Sequence, residues 1–94
     1  MSLAFHPDAL DEYLAAIRAH DEAGAFVEAV ARSVSQAARW PKSGTLEPGY
    51  AVEVRRFIIP RFRYRLHVAM LSPPVVIAVS HERRDPTYWR SRLT

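Results

Sequence analysis

The sequence has 94 residues, of which 49% are hydrophobic, and a formal net charge of +3 at pH 7. This length predicts one domain, residues 1–94, with a modest core, and it excludes separate cofactor and substrate domains. The absence of cysteine excludes a disulfide framework and thiolate chemistry. No stretch approaches the roughly 20 apolar residues of a membrane span, and the N-terminus lacks the basic and apolar segments of a signal peptide.

The first half of the chain predicts two helices that fold back on each other as an antiparallel hairpin, because the break between them is short. Pro7 suits the first position of a helix, where its missing N–H costs nothing. Gly24 is the expected end of the first helix. Apolar residues at helical spacing mark its buried stripe: Leu10, Tyr13, Leu14 and Ile17. The second helix ends before Pro41, and its expected buried face comprises Phe26, Val27, Val30, Val34 and Ala37 or Ala38.

The second half of the chain predicts a sheet. Residues 41–49 form a loop, and strand-like segments follow at residues 50–59, 63–71 and 75–80. The middle segment alternates in polarity, which predicts a half-exposed strand, and the last is apolar on both faces, which predicts a central one. Short turns predict an antiparallel meander, and residues 3–5 are a candidate edge strand. The expected fold is α+β, with an N-terminal helical hairpin packed on a three- to four-stranded antiparallel sheet.

The charge is unevenly distributed along the chain. Residues 1–47 contain seven acidic and four basic residues, a net −3, whereas residues 48–94 contain three acidic and nine basic residues, a net +6. A basic half suits an anionic partner such as nucleic acid or an acidic peptide. Arginine also solubilises small sheets, and composition leaves both interpretations open.

Three arginines in the middle of this basic half are spaced by two. Arg61, Arg63 and Arg65 are therefore expected on one strand face, which His67 extends. Such a face is either solvated or a platform for the phosphates of RNA or DNA.

The chain closes with cationic and aromatic residues. Arg83 and Arg84 follow a buried strand directly, and strand ends are common places for site residues held on a rigid scaffold. Trp89 is expected to dock the tail onto the domain. Tyr88 either docks with it or turns its hydroxyl outward as an acid or a hydrogen-bond donor.

Familiar enzyme motifs do not occur in the sequence. It has no phosphate-binding loop, dinucleotide fingerprint or nucleophile elbow. The four histidines lack the spacing of metal ligands, so we expect neither a metal nor a cofactor. RNA cleavage through the 2′-hydroxyl requires a base, a cationic clamp and an acid. Arginine supplies the clamp but stays protonated, which leaves His67, His81 or Glu82 as the base.

Three stretches of the chain, taken together, resemble one protein family. They are the opening FHPDALDEY, the phrase VRRFIIPRFRYRL and the closing AVSHERRDPTYWRSRL. With the predicted helical hairpin followed by a sheet, they make the chain similar to the RelE/ParE toxins of bacterial type II toxin–antitoxin systems. The similarity spans essentially the whole chain, and the RRF phrase and the H-x-R-R-x-P-x-Y-W ending are closer to the ParE-like members.

The resemblance implies a cytoplasmic growth inhibitor of a plasmid stabilization type, encoded beside a cognate antitoxin that wraps it in a hetero-oligomeric complex and neutralises it. The ParE branch inhibits DNA gyrase, and the RelE branch cleaves mRNA in the ribosomal A site. We therefore expect a gyrase-inhibiting toxin; under this ParE-like interpretation the chain is not an enzyme, and whether it is one is left open. The alternatives are a ribosome-dependent mRNA endonuclease and a non-toxic relic that only binds its antitoxin.

The resemblance also implies which residues meet the target. At matching positions the target-binding residues are Arg61, Arg63, Arg83 and Tyr88, and Arg84, beside Arg83 at the strand end, is expected on the same surface. If the chain is a nuclease, the expected catalytic residues are Arg61, Arg83 and Tyr88, together with His81 from the candidate bases named above. The ribosomal branch typically carries lysines as well as arginines on the sheet, and the predicted strands of this chain contain no lysine, which favours the ParE-like branch.

Overall fold

The structure, a computed structural model, describes residues 3–93. Within these residues two helices pack on one face of a five-stranded mixed sheet, which makes the fold α+β. The helices are α1 (Pro7–Ala19) and α2 (Ala23–Arg39), and short 3₁₀ turns occur at Pro41–Ser43 and Arg90–Leu93. The strands are β1 (Ala4–Phe5), β2 (Thr45–Glu47), β3 (Val54–Ile59), β4 (Tyr64–Ala69) and β5 (Val75–His81).

The break between the helices comes earlier than predicted. Pro7 occupies the first position of α1, as expected. The helix ends at Ala19, because the backbone of His20 is extended (φ −106°, ψ 136°) and its ring nitrogen Nδ1 lies 2.7 Å from the Ala16 carbonyl oxygen. Gly24, the predicted end of the first helix, therefore lies inside α2.

The core-facing side of α1 carries smaller residues than predicted. Tyr13 and Ile17 pack against the core as expected, but Leu10 and Leu14 are 44% and 42% exposed, so their predicted burial is wrong. The residues of α1 that are buried are alanines, which allow a close approach to the sheet: Ala9 and Ala16. The prediction holds better on α2. Four residues of its predicted face are buried, namely Phe26, Val30, Val34 and Ala37, and Val27 is exposed.

The sheet has more strands than predicted and is not wholly antiparallel. Its order is β1-β5-β4-β3-β2, with β1 parallel to β5 and every other neighbouring pair antiparallel. β1 confirms the candidate edge strand, and the long connection from it to β5 permits parallel pairing. β2 lies in a segment predicted to be a loop, where the backbone of Gly44 lies directly against the Phe57 ring, with no room for a side chain. The predicted three- to four-stranded antiparallel sheet is thus a five-stranded mixed one.

Both faces of the sheet are covered in part. The helices cover one face with an apolar core. On the other face the C-terminal tail places the fully buried Trp89 against Val54, Ala69 and Ala78, which confirms the predicted docking of Trp89. The predicted half-exposure of the middle strand is therefore wrong, because residues 66–69 are all buried. The last strand is buried as predicted, although only the two-residue β1 lies beyond it.

Candidate target-binding surface

Four arginines lie together at one end of the sheet. The pairing of Tyr64 with His81 brings the turn between β3 and β4 beside the residues that follow β5, and the Arg63 carbonyl accepts a hydrogen bond from the Glu82 N–H at 2.9 Å. We call this group of arginines the cationic end: Arg61, Arg63, Arg83 and Arg84. The predicted sharing of a strand face by Arg61, Arg63 and Arg65 is wrong, because Arg61 and Arg63 lie in the turn, with left-handed φ values of 75° and 59°.

Two arginines of the cationic end form exposed ion pairs. The guanidinium of Arg61 lies 3.1 Å from Glu22, and that of Arg63 lies 3.5 Å from Glu82. Both guanidinium groups are well exposed, and exposed pairs of this kind contribute about 0–1 kcal/mol. Among the described residues, Arg83 has no ion-pair partner. Arg61, Arg63 and Arg83 can therefore exchange their internal contacts for those of an anionic partner at low cost.

Two further arginines lie on the part of the sheet that the tail leaves open. In the antiparallel register Arg56 lies opposite His67, and Ile58 lies opposite Arg65. Directly opposite residues share a face, so Arg56, Ile58 and Arg65 lie on the same face as His67, which contacts Trp89. Ile58 is 56% exposed. We call these three residues the open sheet face.

The arginines of the open sheet face lack acidic neighbours. Within residues 3–93 neither Arg56 nor Arg65 forms an ion pair, and the Arg56 Nε–H is buried without an acceptor. Buried donors without acceptors are uncommon in folded proteins. By contrast, Arg55 points to the other face and donates to Glu53 at 2.6 Å and to the Gly44 carbonyl at 2.9 Å. The sequence shows that adjacent arginines in a strand point in opposite directions, but not which one is left unpaired.

A largely buried carboxylate on α1 holds the C-terminal tail. Glu12 receives two parallel hydrogen bonds from Arg92, at 2.9 and 3.0 Å, and a third from the Val79 N–H at 3.0 Å. Arg92 also donates to the Ile77 carbonyl at 2.9 Å. A two-pronged pair between arginine and carboxylate is among the stronger polar contacts in proteins. Glu12 thus joins α1, β5 and the tail, a role that no local pattern in the sequence indicates.

The environment of Glu12 favours its charged form. Burial alone would raise the pKa of Glu12, but the hydrogen bonds and charges of its neighbours, Arg92 first among them, outweigh burial and place the pKa below its ordinary value of 4.5. The same pair raises the pKa of Arg92, chiefly through the hydrogen bond to Glu12. Both groups therefore remain charged across the physiological range of pH.

Tyr88 lies inside this arrangement. Its hydroxyl is buried next to Glu12, and the guanidinium of Arg84 stacks over its ring at 3.7 Å. Burial, and then the neighbouring Glu12 carboxylate, raise the pKa of Tyr88 well above its ordinary value. Of the two orientations considered for this side chain, the structure adopts the docked one. Here Tyr88 orients Arg84 and cannot serve as a ready proton donor.

His67 is part of a buried polar chain under the tail. Its Nδ1 lies 2.5 Å from Glu47, its Nε2 lies 2.8 Å from the Ser80 hydroxyl, and the Trp89 ring packs on it at 4.9 Å between centroids. The connectivity is that of a carboxylate–histidine–serine triad. Because His67 and Ser80 are both buried, these hydrogen bonds are not accessible to a substrate. They join β2, β4 and β5 to one another. This burial rules out His67 as the accessible base that the sequence suggested.

The residues proposed for a nuclease are only partly brought together. The His81 ring accepts a hydrogen bond from the Arg83 N–H at 3.1 Å, so these two are neighbours. Arg61 contacts Glu22 across the turn, and Tyr88 contacts Glu12 on the helix side. Glu82, a third candidate base, lies 3.5 Å from Arg63. Of the three candidate bases, His81 is the one without an ion-pair partner among the described residues.

Comparison of the chain with protein-family models, with curated proteins and with solved structures finds no match. The likeness to the RelE/ParE toxins therefore rests on the sequence stretches alone. None of the helices in the described part of the chain has the length and apolar character needed to cross a bilayer. Across residues 3–93 no group of three or more His, Asp or Glu side chains is arranged to hold a metal ion.

Proposed function

We propose that this chain is a ParE-like toxin of a type II toxin–antitoxin system, which inhibits growth by binding DNA gyrase and is neutralised by a cognate antitoxin. The observation that carries the proposal is the set of arginines without acidic partners on the open sheet face and at the cationic end. Arg56 and Arg65 on the open sheet face and Arg83 at the cationic end all lack an ion pair among the described residues. A surface of this kind favours an anionic partner.

The geometry supports binding better than catalysis. A nuclease needs a base and an acid within reach of one phosphate, yet His67 is buried under Trp89 and the Tyr88 hydroxyl is buried beside Glu12. The arginines can hold a phosphate or a carboxylate but cannot remove a proton. A mRNA endonuclease remains the second candidate, since His81 lies beside Arg83 at the cationic end.

The antitoxin that fits this surface is an acidic and amphipathic segment that orders when it binds. Its carboxylates would pair with Arg56 and Arg65, and an apolar side chain would cover Ile58 between them. Such a complex is hetero-oligomeric and would form in the cytoplasm. Because part of the attraction is between exposed charges, its affinity falls as salt concentration rises.

A growth assay with paired variants tests the proposal. Expression of the unmodified chain in bacteria should arrest growth, and Arg56→Gln with Arg65→Gln should relieve the arrest without unfolding the protein. The matched control is Arg18→Gln with Arg39→Gln, two exposed arginines on the helices, which should leave the arrest unchanged. Failure of the unmodified chain to arrest growth would contradict the toxin and leave the non-toxic relic as the alternative, for which antitoxin binding has then to be measured.

Two purified assays then separate the candidate targets. Inhibition of gyrase supercoiling, lost in the double variant, supports the ParE-like activity. The endonuclease would instead be supported if the chain cleaves mRNA in a translation extract and has no effect on gyrase. That cleavage should be lost on His81→Ala.

A further inference from the structure

A cleft on the helix side of the cationic end forms a separate site. It lies between α1 and the end of β5 and has a volume of about 310 Å³, at the lower limit of small-molecule sites. Small residues of α1, together with Val79, form an apolar floor. Glu12, Tyr64, His81 and Arg84 form the polar wall. The cleft opens away from the open sheet face, because α1 covers the opposite side of the sheet.

Glu12 offers little to a ligand in this cleft. Its Oε1 accepts from the Val79 N–H at 3.0 Å and from Arg92 at 2.9 Å, and its Oε2 accepts from Arg92 at 3.0 Å. The negative charge is matched by Arg92 and by Arg84, which lies 3.5 Å away. Asp8, 3.7 Å from Arg92, is 60% exposed, and its charge is screened by solvent.

The groups that remain free in the cleft include hydrogen-bond donors. His81 accepts the Arg83 N–H through Nδ1, so its neutral ring carries a hydrogen on Nε2. The guanidinium of Arg84 is held in place by the Tyr88 ring, 3.7 Å below it, and by one contact to Glu12. Its side chain is still 53% exposed, which leaves other N–H groups available. Pre-positioned donors of this kind lower the cost of binding an acceptor.

We propose that this cleft binds a small oxyanion, a carboxylate or a phosphate, that is attached to a flat apolar body. The oxyanion accepts hydrogen bonds from Arg84 and His81, and the apolar body lies on the alanine floor. Arg84 therefore faces this ligand, while Arg83 beside it stays free at the cationic end. The site does not require the chain to be a toxin.

Titration of the ¹⁵N-labelled full chain by NMR tests the cleft with defined probes. Benzoate and phenyl phosphate at constant ionic strength should shift the signals of His81, Val79 and residues 15–19 in a saturable way, with a dissociation constant of about 1 mM. Tighter binding of one probe identifies the preferred oxyanion. Benzamide has the same body without the charge and should bind at least about tenfold more weakly.

Two pairs of variants make the test specific. Arg84→Gln should weaken the binding of both anionic probes about tenfold, and the control Arg83→Gln should leave it within about twofold, because Arg83 lies outside the cleft. Ala15→Leu should fill the cleft and abolish binding, and Ala31→Leu, at an exposed position of α2, should not. Thermal melts confirm that each variant is folded.

Three results would overturn the site. The first is no saturable shift with either anion up to about 20 mM. The second is equal affinity for benzamide and benzoate. The third is equal weakening of probe binding by Arg83→Gln and Arg84→Gln. Binding would then depend only on the overall positive charge at this end of the molecule.

Discussion

The helix side of the sheet packs mainly apolar side chains against one another, whereas the tail side also buries a histidine and a serine beneath a tryptophan. The helix-side core joins residues such as Phe26, Leu66 and Val79. Under the tail, His67 bridges Glu47 and Ser80 beneath Trp89. The first core tolerates apolar exchange as long as volume is kept, while the second requires each polar group to keep its partner. The two faces should therefore respond differently to mutation.

The largest effect is expected at the centre of the tail side. Trp89→Ala removes a fully buried ring and should lower the free energy of unfolding by about 3–5 kcal/mol. Urea denaturation followed by circular dichroism measures the loss. Trp40→Ala is the control, because Trp40 is 64% exposed and should cost no more than about 0.5 kcal/mol. Equal effects of the two variants would show that the tail is not docked in solution.

Leu66→Ala probes the helix side on the strand that carries His67. Leu66 is fully buried in the apolar core, so its truncation should cost about 2–5 kcal/mol in the same denaturation experiment. Leu66→Met keeps the volume and should cost less than about 1.5 kcal/mol. A Met variant as unstable as the Ala variant would show that this core demands shape as strictly as the tail side does.

His67→Leu makes an exchange of similar size on the opposite face. It leaves Glu47 and Ser80 without a partner, which should cost about 1–3 kcal/mol. Removing both orphaned groups as well, in the triple variant with Glu47→Leu and Ser80→Ala, should restore part of the stability. Failure of the triple variant to recover any stability, again by urea denaturation, would mean that packing and not hydrogen bonding fixes His67.

The pair of Glu12 and Arg92 should make stability depend on pH. The pKa of Glu12 is below 4.5 in the folded chain, so the unfolded chain binds the proton more readily. The contribution of charged Glu12 to the free energy of unfolding is complete well above pH 4.5. It is lost as the pH falls through the pKa that Glu12 has in the folded chain. The difference in melting temperature between the unmodified chain and Glu12→Gln should therefore shrink below pH 4.5. A difference that does not change with pH would contradict a charged, tail-holding Glu12; Glu22→Gln, in an exposed pair, is the control.

The smallest effect on stability is expected at the cationic end. Arg83→Ala with Arg84→Ala should shift the free energy of unfolding by about 1 kcal/mol or less, as for ordinary surface changes, while it reduces growth arrest. Thermal melts and the growth assay on the same variant decide the matter. Loss of toxicity that follows loss of stability would show that Arg84 serves mainly to hold the tail through Glu12.

The helix side was largely predictable, since its apolar residues recur at spacings that any window of the sequence shows. The exceptions are Leu10 and Leu14 on α1, where alanine and not leucine faces the sheet, and Val27 on α2, which is exposed. The tail side was not predictable beyond the docking of Trp89. The contacts of His67 with Glu47 and of Arg92 with Glu12 join residues 20 and 80 positions apart, and no local pattern encodes such pairs.

The candidate site shows the same limit. Arg83 and Arg84 were predictable as site residues because they directly follow the end of a buried strand. Arg56 was not among the predicted target-binding residues, because its significance lies in the lack of an acceptor for its Nε–H, which only the packing of the strands around it reveals. Tyr88 was given two orientations because the carboxylate that decides between them, Glu12, is on the first helix.

The left-handed turn between β3 and β4 determines which substitutions at Arg61 and Arg63 would stabilise the fold. Glycine adopts a φ of 75° or 59° without strain, whereas a residue with a side chain costs about 1–2 kcal/mol there. Arg61→Gly or Arg63→Gly should therefore stabilise the fold while removing a positive charge. Selection for stability alone would favour glycine at both positions. Arginine at these positions therefore lowers the stability of the fold and adds positive charge to its surface.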